Sequence, residues 1–379
     1  MAVGFGNEPV RMTLGRKILE LNYGLILLIA AVACVGFAML YSAAGQNIEP
    51  WASRQIVRFG VGVGVMLIVA LIDIRIWLRY AYVIYALTLL LLVGVEFAGF
   101  EGMGAQRWIN LGFINLQPSE LMKIALILTL ARFYHGLSLE EAGRVVWLLP
   151  PLLILALPTL LVLRQPDLGT ALLMLAAGVV VMFLAGVRLW KFIVALVAAA
   201  AALPVAWSLL HEYQKGRVLT FLDPERDPLG AGYHIIQSKI ALGSGGTFGK
   251  GFGEGTQSHL NFLPEMRTDF IFTMLAEEFG LVGGIGLLLL YLLVLLYAYA
   301  IAFRSRSQFG RLLALGIATN FFFYLFINVG MVMGLLPVVG VPLPLISYGG
   351  TAMLTLLFGF GLLMSVSIHR DIEIPRSDG

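Results

Sequence analysis

Asp269 is the leading acid–base candidate in the chain. It opens a long apolar run and follows Leu263-Pro264-Glu265-Met266-Arg267-Thr268. A positioned carboxylate can take a proton in a transition state. At a helix start it also serves as a cap or a dipole partner, and the ordered approach before it adds weight to the functional reading. Lys123 lies about one turn inside another apolar run, after Gln117-Pro118-Ser119-Glu120. It either snorkels to the membrane surface or pairs with Glu120 at i,i+3 spacing. Asp167, in Arg164-Gln165-Pro166-Asp167-Leu168-Gly169-Thr170, is an N-cap after a proline turn or a partner for a cation. Arg107-Trp108 is an interfacial anchor or part of a site. Glu277 and Glu278 are adjacent, so they do not share a helix face, and they read as packing groups.

One further tract invites a phosphate-loop reading, Gly243-Ser244-Gly245-Gly246-Thr247-Phe248-Gly249-Lys250-Gly251-Phe252-Gly253-Glu254-Gly255. It fails the G-x-x-x-x-G-K-[ST] template, because Gly251 follows Lys250 and Ser244 takes the first-glycine position. It reads as a mobile loop, or as backbone amides and Lys250 meeting an anionic lipid head group. The single cysteine, Cys34, allows no intramolecular disulfide, and the five histidines are scattered without ligand spacing.

The elements that must position these groups are membrane helices. The chain has 379 residues, 59% hydrophobic and 12% charged, far from the roughly 25% charged residues of a soluble protein. Apolar runs fall near 22–43, 54–73, 77–98, 118–135, 145–163, 168–186, 188–209, 270–303, 309–335 and 344–368. They are continuous and rich in Leu, Ala and Val, unlike the alternating segments of a β-barrel. The reading is an all-α integral membrane protein, a single polytopic domain over 1–379. It has about ten transmembrane helices and one long extracytoplasmic loop, 211–268. A soluble enzyme with a membrane tail is excluded. The eighth run is about 50 Å long as a helix, against a hydrocarbon core of about 30 Å, so its first turns must protrude, tilt or border a cavity.

Charge sets the expected orientation. With the N-terminus inside and the first run an uncleaved span, 14 Lys and Arg fall in cytoplasmic segments and 11 outside, six of these in the long loop. Long loops count for little, and without that loop the ratio is 14 to 5. Both termini are then cytoplasmic. Arg107 and Trp108, Glu120 and Lys123, Arg164 and Asp167, and Glu265, Arg267 and Asp269 gather at the outer face from four separate segments.

Five blocks occur in order: Gly104-Ala105-Gln106-Arg107-Trp108-Ile109, Gln117-Pro118-Ser119-Glu120, Gln165-Pro166-Asp167-Leu168-Gly169-Thr170, Leu263-Pro264-Glu265 with Thr268-Asp269-Phe270, and Pro344-Leu345-Ile346-Ser347-Tyr348-Gly349-Gly350. Together they resemble the SEDS proteins of bacteria (shape, elongation, division and sporulation) over nearly the whole chain. Gly249-Lys250-Gly251 and Gly255-Thr256-Gln257-Ser258 point to the elongation branch. Arg267 departs from the family by standing where a histidine often precedes Thr-Asp, a position that tolerates either cation.

The resemblance implies a peptidoglycan glycosyltransferase of the bacterial cytoplasmic membrane that polymerises lipid II at the outer leaflet during elongation. It implies a class B penicillin-binding protein and other membrane proteins of the elongation complex as partners, and no nucleic acid. Asp269 would be the base. Lys123, Arg107, Lys239 and Arg217 would stabilise the leaving pyrophosphate, Asp167 would orient Lys123, and Glu120, Trp108 and Lys250 complete the expected substrate site. No cofactor is required by this scheme, although a divalent cation, Mg or Mn, is an alternative carrier of the positive charge. The rival readings are a lipid flippase or transporter, and a scaffold that activates a penicillin-binding protein.

Overall fold

The computed structural model describes residues 12–102, 105–110, 112, 115–209, 212–226, 231–256 and 266–376. A short α1 (Leu14–Leu19) precedes α2 (Tyr23–Ala43), α3 (Trp51–Leu71) and α4 (Ile74–Ala98). Then come α5 (Pro118–His135), a one-turn α6 (Leu139–Ala142), α7 (Leu149–Arg164), α8 (Leu168–Leu184) and α9 (Leu189–Leu209). After α10 (Glu212–Leu222) and α11 (Ala231–Ser244), the chain ends in α12 (Ile271–Arg304), α13 (Gln308–Val332) and α14 (Gly350–Ile368). Seven of the described helices are long and apolar enough to cross a membrane, namely α2, α3, α4, α7, α12, α13 and α14. Of the other expected runs, α8 and the first part of α9 (Leu189–Ala202) are apolar but shorter, while α5 carries Glu120, Lys123 and Arg132.

Two helices form the centre. The apolar windows of α13 and α14 are 72% and 83% buried, against 28–39% for the other five spanning helices. α5 is nearly as enclosed, burying Lys123 and Glu120 with its apolar side chains. The rest pack around this trio: α14 along α3, α4 on α5, and α13 against α8, α5 and α12. Lipid offers no hydrophobic drive between helices, so close packing does the work, and small residues permit it. A Cβ on Gly361 of α14 would lie 2.7 Å from the Met66 carbonyl of α3.

Three features add to the expected outline. The connection between α4 and α5 is a small antiparallel sheet, β1 (Phe100–Gly102), β2 (Ala105–Asn110) and β3 (Asn115–Leu116), with Glu101 opposite Gln106 and Ile109 opposite Leu116. The stretch expected as one long loop holds α10 and α11. Ser238 ties α11 to the bundle through the Thr273 hydroxyl and the Val332 carbonyl, each at 2.8 Å. The eighth run is not one straight helix. It breaks at Gly280 (φ 65°, ψ −161°), and the part beyond the break, Leu281–Arg304, is about 36 Å long, enough to span alone. The part before it, Ile271–Glu278, is buried in protein, so the excess length borders the interior instead of protruding.

Candidate active site

The last two sequence blocks interlock. Ser347 Oγ donates to the Thr268 carbonyl and accepts from Leu343 N, and Tyr348 N donates to the Arg267 carbonyl. Asn328 Nδ2 bridges the carbonyls of Asp269 (2.8 Å) and Val341 (2.7 Å). Gln55 of α3 donates to the Ser347 carbonyl at 2.9 Å. The backbone of Arg267-Thr268-Asp269 is therefore held against the turn before α14, where the segment leads into the N-cap of α12 at Phe270. Gly340, at φ +71°, backs the Asp269 carboxylate.

This arrangement places Asp269 on an open cleft of about 1040 Å³. Its walls are the first turns of α3 (Trp51, Arg54, Arg58), strand β2 (Trp108, Asn110), Gln117 before α5, and the start of α14 with Tyr348. Three guanidiniums share the cleft with the carboxylate: Arg54, Arg58 and Arg267. Two stack on aromatic faces, Arg58 over Tyr348 at 4.7 Å and Arg267 over Trp51 at 5.0 Å. Stacking orients the guanidinium plane and leaves its edge for hydrogen bonding. Arg58 Nη1 is buried with no hydrogen-bond partner among the described residues. A buried, unpaired donor of a charged group is costly, and an anion entering the cleft would satisfy it. Among the described residues, Asp269 is the only carboxylate lining the cleft, and no three His, Cys, Asp or Glu side chains gather as metal ligands. The donor set suits an anion.

Of the other expected site residues, only Trp108 lines this cleft. Arg107 instead binds the turn before α8, donating to the Gln165 carbonyl at 2.9 Å and to the Pro166 carbonyl, with Asp167 at 3.7 Å. Asp167 caps α8 through Thr170 N at 3.1 Å and accepts from Gln117 at 3.3 Å. Its cation is thus Arg107, not Lys123. Lys123 pairs with Glu120 at 2.7 Å, and Tyr324 of α13 bonds both. With side-chain exposures of 1% and 6% this pair neither snorkels nor reaches the cleft. Lys239 lies exposed on α11 beside Gly334. Lys250 is bound to Glu277. Arg217 sits on α10, and its side chain lies outside the described residues.

A protein-family model described as a cell cycle protein, FtsW/RodA/SpoVE, matches residues 19–372. The chain belongs to this family. It is 46% identical to the peptidoglycan glycosyltransferase MrdB of Escherichia coli K12 over 370 residues, 96% of this chain and 98% of that one. It is 39% identical to the probable peptidoglycan glycosyltransferase FtsW of Trichlorobacter lovleyi, covering 93% of this chain and 94% of the relative. Among solved structures, a chain of a peptidoglycan synthase complex that coordinates polymerization and crosslinking aligns with a TM-score of 0.81 at 38% identity, covering 93% and 98% of the two chains. Rod shape determining protein RodA of Thermus thermophilus aligns with a TM-score of 0.71 at 31% identity, covering 93% and 98%. The chain is a multi-pass membrane protein of this family.

Sequence reading of this family member passed over Arg54 and Arg58. They sit in the first two turns of α3, where a cation reads as an orientation charge. The available signal was their company: Trp51, Arg54 and Arg58 at i, i+3 and i+7 put one aromatic and two cations along one helical stripe.

Proposed function

We propose that the cleft at Asp269 is where this peptidoglycan glycosyltransferase joins one lipid II to another. The Asp269 carboxylate takes the proton of the acceptor GlcNAc 4-hydroxyl. The oxygen forms its bond to the anomeric carbon of the donor MurNAc as the bond from that carbon to the pyrophosphate oxygen breaks. The electron pair leaves with undecaprenyl pyrophosphate. One displacement turns the α linkage into β-1,4. The leaving group gains charge in the transition state, so fixed donors stabilise it more there than in the ground state. Arg54, Arg58 and Arg267 supply that charge in this reading, replacing the expected Lys123 and Arg107. Guanidiniums are favoured over a Mg or Mn ion as the carrier because the lining has three of them and one carboxylate.

The observation that carries the proposal is this meeting of one carboxylate with three guanidiniums, two of them stacked. The charge asymmetry of the loops supports placing the cleft at the outer leaflet with both termini in the cytoplasm. The synthase-complex relative supports a class B penicillin-binding protein as partner, within an assembly of elongation membrane proteins. Purified chain with labelled lipid II, alone and with that partner, tests the function. Polymer is the expected product. Leaflet transfer without polymer would mark a flippase, and neither product a scaffold.

Arg58→Ala is expected to lower kcat by about 10²-fold, the usual cost of one transition-state donor. Arg58→Lys should fall between, since it keeps charge but loses the fork and the stack. Polymerisation kinetics at saturating lipid II check this; equal rates for both variants and wild type would remove Arg58 from the mechanism.

A further inference from the structure

Three side chains meet on the two flanks of the stretch that carries Asp269. Lys250 Nζ donates to Glu277 Oε1 and to Thr256 Oγ1, each at 2.7 Å, and Thr256 Oγ1 stands 3.3 Å from the same carboxylate oxygen. The Glu277 side chain is fully buried and that of Lys250 is 26% exposed. Thr256 and Glu277 are 21 positions apart, and Asp269 lies between them. The three side chains join the residues before this stretch to the helix after it.

Beside these contacts, the glycine tract repairs the broken helix. A helix interruption leaves carbonyls without donors and amides without acceptors, and inside a membrane protein these must be satisfied. Lys250 N and Gly251 N donate to the carbonyls of Glu277 (3.0 Å) and Glu278 (3.1 Å). On the far side of the break, Leu281 N and Val282 N donate to the carbonyls of Gly246 (3.0 Å) and Thr247 (3.1 Å). The fit requires glycine: a Cβ on Gly249 would lie 2.1 Å from the Glu278 carbonyl oxygen, and one on Gly280 would lie 2.4 Å from Gly249 N. The tract is therefore a fixed brace. From Glu277 the helix runs back without interruption to Ile271, two residues past Asp269.

We propose that Lys250 and Glu277 are positioning residues for Asp269. Their ion pair fixes both ends of the segment that carries the carboxylate, and the short helix before Gly280 transmits that anchorage to the cleft. Neither residue lines the cleft, so neither is expected to touch lipid II. A base displaced by about 1 Å loses on the order of 10² in rate. The inference rests on Asp269 being the base.

The test uses the full chain with its penicillin-binding partner and labelled lipid II. Lys250→Met, Lys250→Arg, Glu277→Gln, the Lys250→Met/Glu277→Gln double variant and Asp269→Asn are compared per folded molecule. Lys250→Met and Glu277→Gln are each expected to lower kcat by about 10- to 100-fold with KM for lipid II within about twofold of wild type. Lys250→Arg should restore most of kcat, and the double variant should be no worse than the worse single. A rise in KM at unchanged kcat would make Lys250 a substrate ligand and overturn the proposal. So would wild-type kcat in the folded fraction of Lys250→Met while Asp269→Asn is inactive. An active Asp269→Asn would instead overturn the base assignment, and this inference with it.

Discussion

Asp269→Asn is expected to cut polymerisation of lipid II by about 10²–10⁴-fold, the range a positioned general base contributes. The variant should fold, reach the membrane and hold its partner as wild type does. Both halves follow from the geometry. The fold holds this residue by its backbone, since Asn328 bonds the Asp269 carbonyl and Ser347 the neighbouring Thr268 carbonyl. An amide of nearly the same shape leaves those backbone bonds in place and removes the proton acceptor. KM for lipid II should change little, because the arginines proposed to meet the pyrophosphate are untouched. Polymer yield from purified variant and wild type, with partner pull-down as the control, checks both halves. Near-wild-type polymer would sink the assignment.

The second large effect is on stability. Lys123→Met leaves Glu120 buried, with Tyr324 as its remaining described partner. Breaking a buried ion pair from one side costs about 3–5 kcal/mol, because the surviving charge is uncompensated. The Glu120→Gln/Lys123→Met double variant removes both charges and should recover most of that loss. Heating each protein in detergent and following the folded fraction measures the order: wild type most stable, the double variant close behind, and the single far below. Equal loss in single and double variants would mean that packing, not charge, sets the cost. This prediction also separates the pair from the chemistry. In the double variant, folded molecules should still polymerise, whereas Asp269→Asn molecules should not.

Much of this was legible in the sequence, and the limits have physical reasons. Apolar runs of spanning length announced the helices, because a membrane allows few other solutions for the backbone. Asp269 was legible as a candidate from the Leu263-Pro264-Glu265-Met266-Arg267-Thr268 sequence before it. The i,i+3 pairing of Glu120 with Lys123 was legible as local geometry, but Tyr324 is 204 positions from Glu120, and nothing local announces it. Arg54 and Arg58 were passed over for a similar reason, and Arg267 was noted without its partners. Arg58 gains meaning only from Tyr348 and Arg267 only from Trp51, partners brought together by the packing of α3 on α14 and by the Ser347 turn. Arg107 and Asp167 were both marked as site residues, and they do meet; yet they meet each other, joining the hairpin to the turn before α8. A rare charge near a membrane helix signals that a partner exists, and here each of the two is the other's partner. The break at Gly280 lay hidden in a long run without proline, marked only by Glu277-Glu278 before it, because the glycine tract that makes it tolerable lies some thirty positions upstream.

In the proposed mechanism, donor pyrophosphate rests among Arg54, Arg58 and Arg267 beside Asp269. The most direct measurement uses the Asp269→Asn protein, which should bind lipid II without consuming it. Lipid II carrying a photoreactive group next to its pyrophosphate is irradiated in that complex, and the labelled peptides are sequenced. Labels on the first turns of α3, on Arg267 and on Tyr348 are the predicted result. Labels confined to α10, α11 or the lipid-facing side of α12, with the cleft residues untouched, would contradict it.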